Sequence, residues 1–313
     1  MKKDTFVIDK FNQTLEKPSD ASYISYSQYS TYQKCPRSWK IKYIDKIKEF
    51  EPGIHAIFGT SMHNVIQHWL QVMFTETVKK SEELNFDSML LQEIKDNYAK
   101  DVEKYKKHFS TKEQLTEFYL DGLETLKYLR KKRKVYFDRQ HQELVGTEIP
   151  ILIQPDPSRP NVYLNGFLDI VFKDKSGPKF YILDLKTSTR GWKDWDKKDQ
   201  TKTDQLLLYK IYFARQYNIP IDQIDVQFII LKRKIDEDSM YPQRRVQTFN
   251  PSQGSISYNK TLRSFESFIN QCFLPDGTYN IEREYLAISK EGWNCKFCEF
   301  RDREDLCPKA NRL

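Results

Sequence analysis

The first half of the chain spaces its hydrophobic residues in the way that helices do. After the segment 58–61, apolar residues recur three and four positions apart, at Met62, Val65, Ile66, Trp69 and Met73. This pattern predicts a helix with one apolar face and with His63 in its first turn. Residues 80–135 predict two further helices, the second beginning at a capping box formed by Ser110 and Glu113.

Near residue 140 the spacing changes to that of β-strands. Apolar and alternating runs predict three strands, at 143–154, 162–173 and 180–187. The segment 174–178 is a predicted turn between the last two strands. A helix at about 203–217 and a buried strand at 226–232 follow. The predicted order of helix, three strands, helix and strand is that of an α/β domain.

Length and composition narrow the class of protein. The 313 residues are enough for one large domain, and 39% hydrophobic with 14% aromatic residues support a real core. We expect residues 1–20 to be a flexible tail and residues 21–313 to form a single domain. No run approaches the ~20 apolar residues of a membrane span and no signal peptide is recognised, so we expect a cytoplasmic protein. The net charge of +7 fits a polyanion partner and equally a lysine-rich surface.

The cysteines point to a metal centre that joins the two ends of the chain. Five cysteines in a reducing compartment favour metal ligation over disulfides. Cys295, Cys298 and Cys307 lie close together in sequence, and Cys35 is the natural fourth ligand. The residues alone leave the metal open, and a zinc ion held by four cysteines is one alternative. Cys272 has no cysteine neighbour and is predicted to be a small buried hydrophobe.

Two carboxylates are predicted to meet in the sheet. Asp184 and Lys186 are two positions apart on one strand, so their side chains point to the same face of the sheet. A purely structural ion pair would show the same spacing. Asp169 is a lone carboxylate in the preceding apolar strand, where an unpaired charge is costly to bury. A hairpin would bring Asp169 close to Asp184, and a divalent cation would relieve their repulsion. His63 could add a nitrogen ligand, although a lone histidine there is more often a core residue.

Further polar residues are candidates with open alternatives. Gln205 and Tyr209 are four residues apart on one helix face, either exposed to solvent or orienting Lys186 or a phosphate. Glu148, on the first strand, is a candidate for a second metal ion, but we expect it to face outward and leave it out of the site. The cationic run at 127–134 is interpreted as a solvated face or as a phosphate contact.

Five motifs in order resemble one family of nucleases. They are Gly59-x-x-x-His63, Gly166-x-x-Asp169, Asp184-x-Lys186, Gln205-x-x-x-Tyr209 and the split cysteines. Together they resemble the RecB-like branch of the PD-(D/E)XK nuclease superfamily. With the cysteines they are similar to its iron–sulfur members, which are the AddB nuclease domain, the nuclease domain of the eukaryotic replication helicase-nuclease and the CRISPR-associated adaptation nucleases. The resemblance covers about residues 25–308.

The resemblance implies a fold and a set of functional residues. The fold is a restriction-endonuclease-like core at 59–75 and 140–235, a helical insertion at 80–135, and an iron–sulfur region at 25–45 and 290–310. His63, Asp169 and Asp184 would hold Mg²⁺ or Mn²⁺, and Lys186 would position the attacking water. Gln205 and Tyr209 would support the lysine and contact DNA. A [4Fe-4S] cluster would be held by Cys35, Cys295, Cys298 and Cys307.

The implied activity is that of a DNA nuclease, and we expect an exonuclease on single-stranded DNA or DNA ends. The insertion helices could arch over the active site and restrict it to such substrates. No P-loop sequence occurs, so the expected enzyme stands alone or relies on a separate helicase. One alternative is a partner-dependent subunit of the CRISPR-adaptation type, working with an integrase. Another is a DNA-binding protein with a silent nuclease centre. Repair, recombination, phage genome processing and CRISPR adaptation all remain open.

Overall fold

A six-stranded mixed sheet forms the centre of the protein. The structure is a computed structural model that describes residues 6–11, 16–47, 53–236, 238–288, 293–309 and 312. The strands are β1 (Ser22–Ile24), β2 (Gln142–Ile153), β3 (Val162–Asp174), β4 (Phe180–Ser188), β5 (Ile224–Lys232) and β6 (Val246–Phe249). β2 and β4 pair antiparallel with β3. β1 pairs parallel with the first residues of β3. β5 lies parallel to β4, and β6 lies antiparallel to β5 at the sheet edge.

Helices cover both faces of this sheet. The helices are α1 (Tyr26–Lys34), α2 (Pro36–Trp39), α3 (Ile54–Gln71), α4 (Val78–Glu83), α5 (Phe86–Tyr105), α6 (Lys112–Lys131), α7 (Arg133–Tyr136), α8 (Asp194–Lys198), α9 (Gln200–Tyr217), α10 (Ser255–Cys272) and α11 (Trp293–Lys296). Two π-helical segments and two 3-10 turns are also present, at Lys40–Ile44, Val72–Glu76, Asp9–Phe11 and Ile221–Gln223. α3, α5 and α6 pack on one face, and α1, α9 and α10 pack on the other.

The alternation of side chains along the strands divides the core into two clusters. On β5, Ile229 and Leu231 face α3, whereas Phe228 and Ile230 face α9. The predicted apolar stripe is confirmed, because none of its five residues is more than 1% exposed; four of them lie on α3, and Met73 lies in the π-helical segment that follows it. Burying a large apolar side chain contributes about 1.5–3 kcal/mol. This face therefore anchors α3, and with it His63, on the sheet.

The predicted order of elements is confirmed, with a different start for the first helix. α3, then β2 to β4, then α9 and β5 follow one another along the chain. α3 begins at Ile54, because Ile54, Ile57 and Phe58 are buried and extend its apolar face toward the N-terminus. His63 therefore lies in the third turn of the helix and not in the first.

The insertion contains four helices, α4 to α7, where two were predicted. The capping box of α6 is formed by Thr111 and Gln114 and not by Ser110 and Glu113. The Gln114 N–H donates to Thr111 Oγ1 at 3.2 Å, and the Thr111 N–H donates to Gln114 Oε1 at 3.1 Å. Both pairs of residues suit a helix N-terminus, so the sequence alone does not select between them.

Part of the N-terminal segment expected to be a flexible tail packs on the sheet. The Thr147 N–H donates to the Phe6 carbonyl oxygen at 2.9 Å. Phe11 is 5% exposed, and its ring centroid lies 5.0 Å from that of Tyr217 on α9. Burial of this apolar residue holds the segment in place. Residues 1–5 and 12–15 lie outside the described residues, so for them the expected flexibility stays a prediction.

Candidate active site and cysteine site

Asp169 and Asp184 come together where β3 and β4 diverge. The ladder between these strands ends with Ile170 opposite Leu183, and the two aspartates follow directly. Asp169 Oδ2 accepts the N–H of Leu185 at 2.8 Å. The side chain of Asp169 is 16% exposed, and Asp184 is 2% exposed. The sheet itself therefore holds both carboxylates at one partly enclosed point.

Lys186 is the cation next to Asp184. Asp184 Oδ2 lies 2.7 Å from Lys186 Nζ, an ion-pair contact, and accepts no hydrogen bond of good geometry from the described residues. Burial, with a smaller contribution from the charge of Asp169, raises the pKa of Asp184 to about 6 against the opposing effect of Lys186. Burial acts to lower the pKa of Lys186, but Asp184 and Asp169 hold that pKa above its ordinary value. The lysine is therefore protonated at neutral pH.

A chain of contacts extends from Lys186 to α9. Lys186 Nζ donates to Gln205 Oε1 at 2.9 Å, and Gln205 Nε2 donates to Tyr209 Oη at 3.4 Å. A Cβ added at Gly166 would lie 3.3 Å from the Tyr209 ring, so glycine permits this close approach of strand and helix. The structure thus places Asp184, Lys186, Gln205 and Tyr209 in one connected group.

His63 reaches the same group from α3. Its Nδ1 lies 3.5 Å from Asp169 Oδ2. Burial, followed by the charge of Lys186, lowers the pKa of His63 to about 4. The imidazole is therefore neutral at physiological pH, which is the form that binds metal ions. A Cβ at Gly59, one turn earlier, would lie 3.3 Å from Thr187 Oγ1, so this glycine lets α3 approach β4.

Glu148, which we expected to face outward, turns into the site. Its φ of 55° is uncommon for a residue other than glycine and interrupts the regular alternation of β2. Glu148 Oε1 accepts a hydrogen bond from Gln67 Nε2 at 2.8 Å. Gln67 is buried and also donates to the Asp169 carbonyl oxygen at 3.1 Å. Glu148 was considered from the sequence and left out of the site, whereas Gln67 was missed; its spacing four positions after His63 was the one available signal.

The donor set of this site fits a divalent cation. Carboxylate oxygens and a neutral imidazole suit Mg²⁺ or Mn²⁺. Asp184 also presents a buried oxygen that accepts no hydrogen bond from the residues described. As placed, however, no three His, Cys, Asp or Glu side chains in the described ranges are grouped so that they could hold a metal ion. Metal binding therefore requires side chains to rotate from these positions.

The four cysteines of the predicted metal centre line one cavity, together with Ile41 and Phe300; they are Cys35, Cys295, Cys298 and Cys307. We call this the cysteine site. Its cavity of about 20 Å³ has room for about one water-sized sphere. A single ion such as zinc therefore requires less rearrangement there than a four-iron cluster.

Direct contacts join the two chain ends around the cysteine site. The Arg37 guanidinium donates twice to the Leu306 carbonyl oxygen, at 2.9 and 2.7 Å. Asn294 Nδ2 donates to the Lys34 carbonyl oxygen at 2.7 Å. Burial, together with nearby Cys35 and Cys307, raises the pKa of the Cys298 thiol.

Cys272 lies apart from the cysteine site. It is fully buried in the hydrophobic cluster that faces α9. The prediction that it is a buried hydrophobe is confirmed.

The comparison with protein families agrees with this geometry. The family sequence model described as PD-(D/E)XK nuclease superfamily matches residues 23–307. The match spans the strands that carry the carboxylates and both cysteine-bearing ends. No curated protein matches the chain significantly. Within the described ranges, no helix combines the length and the apolar character needed to cross a membrane.

Proposed function

Because the chain belongs to the PD-(D/E)XK nuclease superfamily, we propose that it is a divalent-metal-dependent deoxyribonuclease with its catalytic centre at Asp169, Asp184 and Lys186. One observation carries the proposal. Lys186 Nζ lies between Asp184 Oδ2 at 2.7 Å and Gln205 Oε1 at 2.9 Å. A protonated amine fixed beside buried carboxylates is placed to stabilise the negative charge that develops on a scissile phosphate.

The roles of the residues follow from their chemistry. His63 and the two aspartates would hold Mg²⁺ or Mn²⁺. With such an ion bound, hydroxide would be available near neutral pH and the charge on the phosphate would be neutralised. Lys186 orients the attacking water and donates a hydrogen bond to the phosphate. Gln205 and Tyr209 keep the lysine in position and contact the substrate. Hydrolysis by water leaves no covalent link between protein and DNA.

We further propose that the enzyme is an exonuclease on single-stranded DNA or DNA ends. The site is recessed, because the side chains of Lys186, His63 and Asp169 are 31%, 23% and 16% exposed. A recessed centre admits a flexible strand or a free end more easily than a continuous duplex.

The substrate preference is tested by comparing linear with closed circular single-stranded DNA in the presence of Mn²⁺. We expect cleavage of the linear strand alone, from one end. Equal cleavage of both forms would contradict the exonuclease proposal. A folded, metal-loaded protein that cleaves neither form would point to a partner-dependent subunit.

For the cysteine site we propose a [4Fe-4S] cluster that joins α1 and α2 to the C-terminal segment. The spacing of the cysteines and the meeting of all four at one place support it, and the small cavity between them would have to widen to admit the cluster. Anaerobically purified protein should contain about four iron atoms per chain and show a broad visible absorption band. Colourless protein with one zinc ion per chain would replace the cluster with a zinc site.

A further inference from the structure

A second cleft lies beside the catalytic centre, at the β6 edge of the sheet. It has a volume of about 710 Å³ and lies between the end of α6, α7, β6 and the segment after β4. We call it the edge cleft. The side chains that characterise it are Lys132, Tyr136, Arg190, Trp192, Lys232 and Arg244.

The edge cleft is strongly cationic. Four cations line it and no carboxylate does so among the residues described; the cations are Lys132, Arg190, Lys232 and Arg244. None of the four forms an ion pair with another described residue. Arg133, by contrast, belongs to the same basic run as Lys132 and lies 3.3 Å from Glu82. The cations of the cleft are therefore available to an anionic ligand.

Carboxylates border the cationic surface on one side. Arg190 and Lys232 also line an adjoining pocket, which contains Asp236 and Asp238. Burial is the main cause that lowers the pKa of Lys232, and repulsion from the nearby charge of Arg245, which does not line the cleft, lowers it further. A bound polyanion would relieve this repulsion.

Aromatic and apolar side chains are interleaved with the cations. Tyr136 and Trp192 line the cleft, and Val135 beside them is 71% exposed. An acidic protein surface is matched by charge alone and has no particular use for half-buried rings along the cleft. Unpaired bases can stack on such rings, and base–aromatic stacking stabilises single strands on a cationic groove. The combination therefore favours single-stranded nucleic acid.

The edge cleft lies close to the catalytic centre, with the buried Phe228 ring between Trp192 and Lys186. The Trp192 ring centroid lies 4.8 Å from that of Phe228, and Lys186 Nζ lies 6.0 Å from the same Phe228 ring. Lys186 pairs in register with Ile230, so Lys232 lies two residues, or about 7 Å, further along the neighbouring strand. Two bonds between the Gln247 amide and the Trp192 backbone, at 2.7 and 3.0 Å, fix Trp192 there.

We propose that the edge cleft binds single-stranded DNA that continues into the catalytic centre, with phosphates on its cations and bases against its aromatic side chains. The direction of the strand toward Lys186 rests on the proposed nuclease function. The binding itself does not. A duplex covers the faces of its bases and is therefore a poorer ligand for the rings.

The test measures binding of a short fluorescent oligothymidylate by anisotropy, in EDTA and over a range of salt concentrations. The variant combines Lys132→Gln, Arg190→Gln and Arg244→Gln, three exposed positions whose substitution leaves the core intact. We expect affinity to fall roughly 100-fold at 0.1 M salt. The slope of log affinity against log salt should fall by about 2, because each phosphate contact on a single strand contributes about 0.7.

A matched control carries the same charge change elsewhere. Lys79→Gln, Lys95→Gln and Lys100→Gln remove three exposed cations that do not line the cleft, and should leave the slope unchanged. Tyr136→Ala should weaken binding about fivefold without changing the slope, because stacking releases no counterions.

Three results would overturn the proposal. The first is wild-type affinity in the triple cleft variant. The second is an equal loss of affinity in the control. The third is displacement of the oligothymidylate by duplex DNA or polyglutamate as effectively as by single-stranded DNA. Because the assay needs no metal and no cleavage, it decides the question even for a protein without nuclease activity.

Discussion

The catalytic centre and the cysteine site are held in place in different ways. At the centre, Asp184 and Tyr209 lie on β4 and α9, long elements whose other residues fill the core. The cysteine site is built from short pieces. Cys35 precedes the four-residue helix α2, and Cys295 lies in the four-residue helix α11. The sheet therefore positions the first site, whereas the second depends on contacts between the chain ends.

This difference separates activity from stability. A substitution at the catalytic centre removes a reacting group and leaves the core packed. A substitution at the cysteine site would remove a proposed metal ligand, and metal binding at sites of this kind contributes directly to folding. The two sites should therefore respond differently to matched substitutions.

The largest effect is expected from Lys186→Gln. Glutamine keeps a hydrogen-bond donor near Asp184 but removes the positive charge beside the phosphate. We expect cleavage of end-labelled DNA to slow about 1000-fold with little change in the unfolding midpoint. The control is Lys179→Gln. Lys179 lies directly before β4 and forms an exposed ion pair with Asp225, so its substitution should leave full activity. If Lys186→Gln lowered the free energy of unfolding by more than it lowered the stabilisation of the transition state, the two sites would not differ in this way.

The next effect is expected from Cys295→Ala. Loss of a metal site that is saturated about 1000-fold above its dissociation constant costs about 4 kcal/mol of unfolding free energy. Metal content and stability, measured by elemental analysis and denaturant unfolding, should fall together. The buried Cys272→Ala should keep its metal and lose about 1 kcal/mol for a methyl-sized cavity. Equal stability of the two variants would contradict a structural metal.

A smaller effect on the catalytic centre is expected from Glu148→Gln. The Gln67 contact can persist, but one negative charge near His63 and Asp169 is lost. We expect the Mn²⁺ concentration for half-maximal cleavage to rise about 10- to 100-fold. Glu143→Gln, an exposed glutamate earlier on β2, is the matched control. An unchanged Mn²⁺ requirement would show that Glu148 takes no part in metal binding.

The smallest effect concerns Asp204, which lies between the two sites. It is buried and accepts hydrogen bonds from Gln33 of α1 at 2.9 Å and from Thr261 of α10 at 2.8 Å. Gln33 lies two residues before Cys35, and Asp204 directly precedes Gln205. This carboxylate therefore connects the cysteine end of the chain to the helix that holds the catalytic lysine.

Burial raises the pKa of Asp204, so the folded protein binds this proton more tightly than the unfolded chain does. Its stabilising contribution is complete below the unfolded pKa of about 3.9 and is lost as the pH rises through the folded pKa. Asp204→Asn should remove this pH-dependent loss of stability. Denaturant unfolding at several pH values measures it, with the exposed Asp222→Asn as control. If the free energy of unfolding depended on pH in the same way for the wild type and for Asp204→Asn, this pH dependence would not belong to Asp204.

Sequence periodicity predicted the elements that are long enough to show it. The stripe on α3 and the alternation on β3 and β4 each repeat several times, so the helix, the strands and the meeting of Asp169 with Asp184 followed from them. β1 and β6 contain three and four residues, too few to show a period, and were missed.

The remaining errors at the site have local causes. The orientation of Glu148 depends on one left-handed residue in a strand, and no hydrophobic pattern encodes that conformation. Gln67 contacts Glu148 and Asp169 only because α3 packs across β2 and β3. Such contacts between distant segments depend on the tertiary structure and not on local sequence.

The central claim is that a divalent metal ion bound at Asp184 drives DNA hydrolysis. The most direct test measures cleavage of end-labelled single-stranded DNA as a function of Mn²⁺ concentration, for the wild type and for Asp184→Asn. We expect no cleavage in EDTA, a rate that saturates with Mn²⁺ in the wild type, and no cleavage by the folded variant at any Mn²⁺ concentration. Cleavage in EDTA, or a wild-type rate from Asp184→Asn, would contradict it.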